Sequence, residues 1–309
     1  MFPASRAFPD IRQKRETMST RQPRARRSVL YVPGSNGKAM AKTGQLACDS
    51  VIFDLEDAVA PDAKSGARAA IVEHLKSTEA NGRERVIRVN SLSSEWGRGD
   101  IAAAAEAGPD AILLPKVETA AMLTEARRVV DDAGATGTPL WAMIETPLAF
   151  VNIGDIARCG SDSAIRLDCM VAGTNDIAKE MSLPLPEGRA TIIHWLASLV
   201  IHARAFDIDV LDGVYNDFRD TDGFAAECGE GVLLGFDGKT LIHPGQIEPA
   251  NTAFSPSSAA IEEARTIVSF FDQPENADKG VVSFNGRMIE RLHAEAARKL
   301  LAKVEVSCS

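Results

Sequence analysis

The chain has 309 residues, 45% of them hydrophobic, and a formal net charge of −9 at pH 7. This length allows one large barrel domain or two ordinary domains, with enough apolar residues for a core. The negative charge argues against nucleic acid as a general partner, and no apolar run approaches the roughly twenty residues needed to cross a bilayer. We therefore expect no membrane and no nucleic-acid partner.

The five cysteines are an odd number without paired short spacings. This pattern predicts reduced thiols in a cytoplasmic protein, and neither a disulfide framework nor a zinc site. Residues 1–27 carry eight Lys and Arg residues against two acidic ones. This basic segment predicts a disordered, solvated tail. A transit peptide is the alternative, and Met18 is a second plausible start.

From residue 28 onward, short apolar runs alternate with segments of helical period. The predicted strands are Ser28–Val32, Val51–Leu55, Val86–Asn90, Ala111–Leu114, Leu140–Ile144, Cys169–Ala172, Asp209–Asp212 and Thr240–Ile242. The predicted helices between and after them are Lys38–Cys48, Ala63–Lys76, Ile101–Ala107, Glu118–Asp132, Pro147–Ala157, Gly188–Phe206 and Arg219–Leu234. Eight such alternations predict an α/β fold, a closed (β/α)₈ TIM barrel over residues 28–254.

A C-terminal helical extension follows the barrel over residues 255–309. A Ser- and Pro-rich linker, Ala250–Ser258, leads into it. Two segments of helical period, Ser258–Phe271 and Arg287–Lys303, flank Gly280–Asn285, a hairpin-like turn or a short strand. We expect this extension to act as a lid or as a contact between subunits.

Two acidic residues, Glu145 and Asp176, each end an apolar run, at the fifth and sixth predicted strands. Neighbouring parallel strands lie about 4.8 Å apart, so the two carboxylates would repel each other unless a cation lay between them. Mg²⁺ suits this position, because it takes oxygen ligands and commonly only one or two protein carboxylates. We therefore predict that Glu145 and Asp176 are metal ligands. A salt-bridged Glu145 and an Asp176 that only caps the helix 177–181 are the alternatives.

Other strand ends also carry polar side chains, and the active site of a TIM barrel lies at these ends. They are Pro33-Gly34-Ser35-Asn36, Asp54-Leu55-Glu56-Asp57, Arg88 with Asn90, Lys116, Asp212 and His243. The glycine-containing turn at residues 33–36 caps the first helix or holds a phosphate group by its backbone N–H groups. His243 is more consistent with a brace at the rim than with a ligand. For each of the other side chains at the strand ends, the alternative is a purely structural role, in an ion pair or as a lysine in the wall of the barrel.

Several motifs together resemble the citrate lyase beta-subunit-like family of the HpcH/HpaI aldolase superfamily. They are Tyr31-Val32-Pro33-Gly34-Ser35, Phe53-Asp54-Leu55-Glu56-Asp57-Ala58-Val59, Arg88-Val89-Asn90, Leu114-Pro115-Lys116-Val117-Glu118, Ile144-Glu145-Thr146, Gly235-Phe236-Asp237-Gly238-Lys239 and Ile242-His243-Pro244-Gly245-Gln246. The resemblance runs from Ser28 to the C-terminus and implies a Mg²⁺-dependent TIM barrel that acts on thioesters of hydroxy acids.

The resemblance also implies roles for individual residues. Glu145 and Asp176 match the metal ligands, although Gly-Thr-Asn-Asp here replaces the commoner Gly-Ala-Glu-Asp. Arg88 matches the arginine that binds the substrate carboxylate and the developing oxyanion. Met288-Ile289-Glu290 matches a Met-Ile-Asp motif whose carboxylate serves a neighbouring subunit, so Glu290 is the candidate general acid/base, one methylene longer than usual.

The remaining candidate residues lie beside these. Glu56 and Asp57 either brace Arg88 or contact substrate, and we group them with the catalytic residues. Pro33, Gly34, Lys116, Thr174 and Asn175 are the further candidates for substrate binding.

We expect a carbon–carbon lyase that cleaves a malyl-CoA, methylmalyl-CoA or citramalyl-CoA type thioester into an acyl-CoA and a 2-oxo acid. A thioesterase on the same substrates, a CoA-independent 2-oxo acid aldolase, and an acyl-carrier-dependent subunit of a citrate lyase-like complex are the alternatives. We also expect a homo-oligomer, a trimer or a hexamer.

Overall fold

In a computed structural model of the chain, structure is described for residues 24–79, 81–183, 189–274, 276, 279–284 and 287–307. The chain forms two compact units: Arg26–Ser255 is one, and the C-terminal residues from Pro256 belong to the other. Among the described residues, no helix is both long and apolar enough to cross a membrane. Four cysteines lie within the described ranges, and all four are buried thiols outside any disulfide bond.

The first unit is a closed barrel of eight parallel strands, which confirms the predicted TIM barrel. The strands are β1 Ser28–Pro33, β2 Ser50–Asp54, β3 Glu84–Arg88, β4 Ala111–Leu114, β5 Leu140–Ile144, β6 Leu167–Ala172, β7 Asp209–Asp212 and β8 Gly238–Leu241. Each strand pairs with the next in chain order, and β8 pairs with β1 through Thr240 and Val29.

Helices surround the barrel, and the C-terminal unit adds two more helices and a hairpin. The helices are α1 Gly37–Lys42, α2 Lys64–Ser77, α3 Gly97–Ala107, α4 Ala120–Asp132, α5 Pro147–Val151, α6 Ile153–Arg158, α7 Thr174–Glu180, α8 Ile193–Ala205, α9 Thr221–Leu234, α10 Ile247–Phe254, α11 Ser258–Phe271 and α12 Arg291–Ser307. The hairpin strands are β9 Val281–Phe284 and β10 Arg287–Glu290.

The period of two along each strand creates two apolar layers. Ile52 and Val86 point into the barrel and pack with Trp141, which is fully buried there. Val51 and Phe53, one residue to either side of Ile52, pack instead against the surrounding helices. The inside of the barrel is therefore filled by apolar side chains. Because no space is left there, we expect the active site at the ends of the strands.

The barrel begins at Arg26, so Arg26 and Arg27 are not part of a tail, contrary to the predicted boundary. Buried Arg26 pairs with Glu84 at 2.6 Å, Asp168 at 2.5 Å and Asp209 at 2.7 Å. These carboxylates raise the pKa of Arg26 although burial alone would lower it. The prediction missed this because the three partners lie far away in the sequence. The rest of the predicted tail, up to residue 23, lies outside the described residues.

Several other observed bounds differ from the predicted ones, and the first and last helices show the clearest cases. The first helix ends at Lys42, where a 3₁₀ turn, Thr43–Gln45, takes over. The last helix begins at Arg291 and not at residue 287, because residues 287–290 pair in register with residues 281–284. The hairpin-like turn expected before this helix is thus a two-stranded ladder. Ser258–Phe271 has the predicted bounds, and an Arg298–Asp272 ion pair of 2.5 Å joins it to α12.

Candidate active site

The structure brings Glu145 and Asp176 to the same end of adjacent strands. Glu145 directly follows β5, and Ile144 pairs with Ala172 at the end of β6. Asp176 is the third residue of α7, which starts two residues beyond β6. Gly173 occupies the N-cap position, so the alternative that Asp176 is the capping residue is wrong.

Glu145 is fully buried, and only one of its carboxylate oxygens is satisfied by the protein. Oε1 accepts a hydrogen bond of 2.7 Å from the backbone N–H of Lys116. Oε2 is buried without a hydrogen-bond partner among the described residues. Burial, with the negative charges of Glu56 and Asp176, raises the pKa of Glu145 to about 8. An unpaired buried carboxylate oxygen is costly unless a cation or donor meets it.

Gly173 makes room for this carboxylate. A Cβ at that position would lie 2.2 Å from Glu145 Cβ and 2.5 Å from Glu145 Oε2. Both distances are far inside van der Waals contact, so only glycine fits beneath Glu145. Gly173, which lies between β6 and α7, is therefore part of the construction of the site.

The donor set fits a hard divalent cation. No group of three or more His, Cys, Asp and Glu side chains that could hold a metal occurs within the described ranges. Glu145 and Asp176 offer only carboxylate oxygens, whereas zinc favours sets of nitrogen and sulfur ligands. Mg²⁺ needs only one or two protein carboxylates and takes its other oxygens from water and substrate. Glu145 and Asp176 suit that role.

Arg88, at the end of β3, is the main positive group near these acids. Its Nε and Nη2 donate to the two oxygens of Asp54, each at 2.6 Å. Its Nη1 lies 2.8 Å from Glu56 Oε2 and 3.3 Å from Asp57 Oδ2. Its guanidinium carbon lies 4.9 Å from the centre of the Tyr31 ring. Arg88 is thus held in one orientation and remains charged, with Asp54 and Tyr31 raising its pKa against burial.

Glu56, Asp57 and Lys116 complete the charged cluster. Lys116 Nζ donates to Glu56 Oε1 at 2.7 Å. Burial raises the pKa of Glu56, and Arg88 offsets this only in part. Burial opposes ionisation of Asp57 as well, but its hydrogen bond with Glu56 and the charge of Arg88 outweigh burial and lower its pKa. Within this cluster, Glu56 is therefore the better proton acceptor and Asp57 the more firmly ionised acid.

The turn after β1 has a structural role. Gly34 N–H donates to the Asp54 carbonyl at 2.9 Å, and a Cβ on Gly34 would lie 2.5 Å from Ile71 Cδ1. Asn36 caps α1 by accepting from Ala39 N–H at 3.0 Å. Pro33 ends β1, and its carbonyl accepts from Asn36 N–H at 2.9 Å. Of the two alternatives for this turn, the geometry supports capping.

Thr174 and Asn175 lie at the start of α7, beside the metal-ligand candidates. Thr174 is buried against Gly213, where a Cβ would meet Thr174 Oγ1 at 2.5 Å. The side-chain amides of Asn175 and Asn216 exchange hydrogen bonds of 2.8 Å and 3.2 Å. Both residues thus tie α7 to the loop after β7, and their contact with substrate stays a prediction.

The structure also describes the surroundings of Glu290 and His243. Glu290 ends β10 in the C-terminal unit, where its backbone N–H donates to His293 Nδ1 at 3.0 Å. His243 braces the rim as expected, because its Nδ1 accepts from Gly245 N–H at 3.0 Å in a capping box with Gln246.

Asp54 is the residue that sequence reasoning missed. It lies in β2 opposite Arg88 of β3, in direct register. The signal was present, because Asp54 is two residues beyond Ile52, which points into the barrel. An acid on the inward side of a strand needs a partner, and Arg88 is the inward residue at the matching position of the next strand.

A parallel eight-stranded barrel with its charged side chains gathered at the strand ends is the architecture of a TIM-barrel enzyme. The model of the HpcH/HpaI aldolase/citrate lyase family matches residues 27–244. The chain therefore belongs to the HpcH/HpaI aldolase/citrate lyase family. Its curated relatives are enzymes or enzyme subunits.

Curated relatives match nearly the whole chain. A (3S)-malyl-CoA thioesterase of Cereibacter sphaeroides is 46% identical over 279 residues, which cover 90% of this chain and 94% of that protein. The citrate lyase subunit beta of Leuconostoc mesenteroides subsp. cremoris is 34% identical over 288 residues, 90% of this chain and 93% of that protein. Among solved structures, the protein CitE of Mycobacterium tuberculosis in complex with magnesium, acetoacetate and coenzyme A aligns with a TM-score of 0.70 at 26% identity. That alignment covers 90% of this chain and 97% of that chain.

Proposed function

We propose that this protein is a Mg²⁺-dependent hydrolase of a malyl-CoA-type thioester. The observation that carries the proposal is the buried carboxylate of Glu145 beside half-buried Asp176, with one Glu145 oxygen that no described group satisfies. The choice of hydrolysis follows the 46% identity to a malyl-CoA thioesterase across nearly the full length of both proteins. The sequence alone favours carbon–carbon cleavage over hydrolysis, and the identity to the thioesterase reverses that order.

Glu145 and Asp176 would hold the metal. Mg²⁺ bound there would act as a Lewis acid toward the oxygens of a hydroxy acid or of a thioester carbonyl. The hydrogen bond from Lys116 N–H fixes Glu145 Oε1 and leaves Oε2 available for coordination.

Arg88 would bind the negatively charged end of the substrate. Asp54 occupies two of its nitrogens, so Nη1, which faces Glu56 and Asp57, is the nitrogen available to a substrate oxygen. A guanidinium that remains charged and already oriented is suited to stabilise a developing oxyanion without reorganisation.

Glu56 is the candidate general base in the barrel. Its raised pKa favours proton uptake, and Lys116 and Arg88 hold both of its oxygens in place. In hydrolysis, Glu56 would take a proton from water as the water oxygen bonds to the thioester carbon. The carbon–sulfur bond then breaks, and the CoA thiolate leaves and takes up that proton. Asp57, ionised and close to Arg88, would orient the arginine.

Carbon–carbon cleavage is the second candidate, and the identity of 34% to a citrate lyase subunit beta favours it. In this reaction the substrate hydroxyl would give its proton to Glu56, its oxygen would become the carbonyl oxygen of the 2-oxo acid, and the bond between the hydroxyl-bearing carbon and the carbon next to the thioester would break. The products are an acyl-CoA and a 2-oxo acid. Glu290, supplied by a neighbouring subunit of a trimer or hexamer, would then protonate the thioester enolate.

Product analysis tests the proposal. Purified protein is incubated with malyl-, methylmalyl- and citramalyl-CoA, with and without Mg²⁺, and the products are identified by mass spectrometry. Hydrolysis yields free CoA and the intact hydroxy acid, whereas cleavage yields acetyl-CoA or propionyl-CoA and a 2-oxo acid. Turnover only of a carrier-linked thioester, only of a free 2-oxo acid, or turnover that survives complete metal removal would refute the proposal.

A further inference from the structure

The hydroxyl group of Tyr31 has a weak hydrogen-bond partner. Tyr31 lies in β1, two residues beyond Val29, and its ring packs on the apolar side chains that fill the barrel. Its OH donates to Met143 Sδ at 3.7 Å, and among the described residues it has no other acceptor. A thioether sulfur accepts hydrogen bonds only weakly. The hydroxyl can therefore exchange this contact for a stronger acceptor.

Arg88 donates to the same sulfur atom. The distance from Arg88 Nη1 to Met143 Sδ is also 3.7 Å. The guanidinium group of Arg88 lies over the Tyr31 ring, with its carbon 4.9 Å from the ring centre, so the two side chains hold each other in place. The Tyr31 hydroxyl and Arg88 Nη1 therefore converge on one point, where the protein itself supplies only a weak acceptor.

The hydroxyl of Tyr31 is protonated and can be reached from the barrel mouth. Burial raises the pKa of Tyr31, Arg88 opposes this in part, and the negative charges of Asp54 and Glu145 raise it further. At neutral pH the group is therefore a donor. Tyr31 is half-buried, whereas Val29 below it is fully buried, so its side chain is the outermost of β1 on the inside of the barrel.

Met143 connects this point to the metal-ligand candidates. It lies in β5, two residues before Glu145, and successive inward positions of one strand are about 6–7 Å apart. β1 and β5 lie opposite each other in the closed order of eight strands, so Tyr31 reaches across the barrel to the strand that ends beside Glu145. A short hydroxy acid that reacts beside Glu145 can therefore extend its far end to Tyr31 and Arg88.

A carboxylate oxygen of the substrate fits this point. Tyr31 OH and Arg88 Nη1 are both donors, and a charged donor favours an anionic acceptor. Two acids already lie near Nη1, Glu56 Oε2 at 2.8 Å and Asp57 Oδ2 at 3.3 Å, and they weaken its attraction for a further anion. A neutral donor beside the arginine compensates for this, because neither acid takes the hydrogen bond of the Tyr31 hydroxyl.

We propose that Tyr31 donates a hydrogen bond from its hydroxyl to the free carboxylate of the acyl group, beside Arg88 Nη1. The inference rests on the proposed function, because it assumes a malyl-type acyl group. Tyr31 thus selects acyl groups that end in a carboxylate over those that end in a methyl group. Because this carboxylate takes no part in hydrolysis, the hydrogen bond contributes equally to the ground state and the transition state, and so to binding.

Tyr31→Phe tests this role, because it removes the hydroxyl and keeps the ring under Arg88. A hydrogen bond to a charged group contributes roughly a factor of ten to a hundred, so KM for malyl-CoA should rise about tenfold or more with little change in kcat. 3-Hydroxybutyryl-CoA has a methyl group in place of the carboxylate, and its inhibition constant against malyl-CoA turnover should not change. Tyr215→Phe removes the only other tyrosine hydroxyl of the chain, which donates to Asp220 at 2.6 Å, and should change neither constant.

Binding without turnover gives an independent readout. In calorimetric titrations with malate in the presence of Mg²⁺, Tyr31→Phe should weaken binding by the same factor as it raises KM, and Tyr215→Phe should bind like the wild type. Unchanged malate binding in Tyr31→Phe, equal losses for malyl-CoA and 3-hydroxybutyryl-CoA, or a fall in kcat at unchanged KM would overturn the assignment of Tyr31. Wild-type protein that binds malate but hydrolyses none of the thioesters would instead overturn the proposed function.

Discussion

Gly173→Ala tests whether the geometry around Glu145 creates the metal site. The backbone angles of Gly173, φ −97° and ψ 75°, lie outside the left-handed region, so alanine meets no penalty of that kind. The new methyl carbon would lie 2.2 Å from Glu145 Cβ, an atom that cannot move away without its backbone. Overpacking of this kind costs about 1–3 kcal/mol of stability.

The same methyl carbon would lie 2.5 Å from Glu145 Oε2, the oxygen available to a cation. Disturbing groups that orient metal ligands typically weakens metal binding roughly 10–100-fold, and we expect that range for Mg²⁺. Calorimetric Mg²⁺ titration and urea denaturation measure the two effects separately.

The matched control is Gly66→Ala in α2, where a Cβ would meet nothing within 4 Å. Alanine there should stabilise the protein by about 0.5–1 kcal/mol, because glycine is unfavourable inside a helix, and should leave Mg²⁺ affinity unchanged. Wild-type Mg²⁺ affinity in Gly173→Ala would refute the assignment of Glu145 Oε2 as a ligand atom.

Three further predictions follow from other contacts. Arg26→Met leaves the buried carboxylate of Glu84 and the half-buried carboxylates of Asp168 and Asp209 without this cation and should cost about 3–5 kcal/mol in urea denaturation, while unchanged stability would contradict the role of this cluster. The pKa of Asp212 is lowered in the folded protein because Lys239 and Arg189 outweigh its burial. The stability that ionised Asp212 contributes is therefore complete above about pH 4 and is lost as the pH falls through its folded pKa. In Asp212→Asn, the free energy of unfolding should fall less steeply as the pH is lowered below about 4. An equally steep fall in the variant would contradict this prediction. Glu290→Gln should abolish carbon–carbon cleavage but leave the thermal midpoint unchanged, and full cleavage activity in this variant would remove Glu290 from the mechanism.

Most of the barrel could be predicted because each strand carries its own local signal. Runs such as Leu140–Ile144 are fully apolar, as expected of strands covered on both faces, and turns or helical segments separate them. The observed strands start or end within a few residues of those predicted. Chain order then sufficed for the topology, because parallel strands joined by helices pair with their neighbours.

One error lies where partners distant in the sequence determine the structure. Arg26 resembles the basic residues before it, and only the folded barrel brings Asp209 within 2.7 Å of it. Local pattern cannot register this preference, because the ion pair forms only after the chain has folded. The other error concerns a local hairpin: residues 287–290 continue the helical period of α12, yet they pair with residues 281–284 just before them.

Within the site, the sequence identified the acids but not their partners. The hydrogen bond from Lys116 N–H to Glu145 depends on the positive φ of Lys116, which is 50°. No sequence motif predicts this backbone conformation for a lysine. Such a conformation is uncommon outside glycine and costs energy, so its presence beside Glu145 belongs to the construction of the site. The hydrogen bond from Lys116 N–H holds Glu145 Oε1 and leaves Glu145 Oε2 available to a ligand.

The balance of charge explains why the site fits a divalent cation. The charged side chains gathered at the barrel mouth are the acids Asp54, Glu56, Asp57, Glu145 and Asp176 and the bases Arg88 and Lys116. Arg88 and Lys116 are committed to the acids at the end of β2, so Glu145 and Asp176 share no basic side chain between them among the described residues. Burial, followed by the negative charges of Glu56 and Asp176, raises the pKa of Glu145 to about 8. A Mg²⁺ ion would supply the two positive charges this pair lacks, and would bind more weakly as pH falls because a proton would then compete for Glu145.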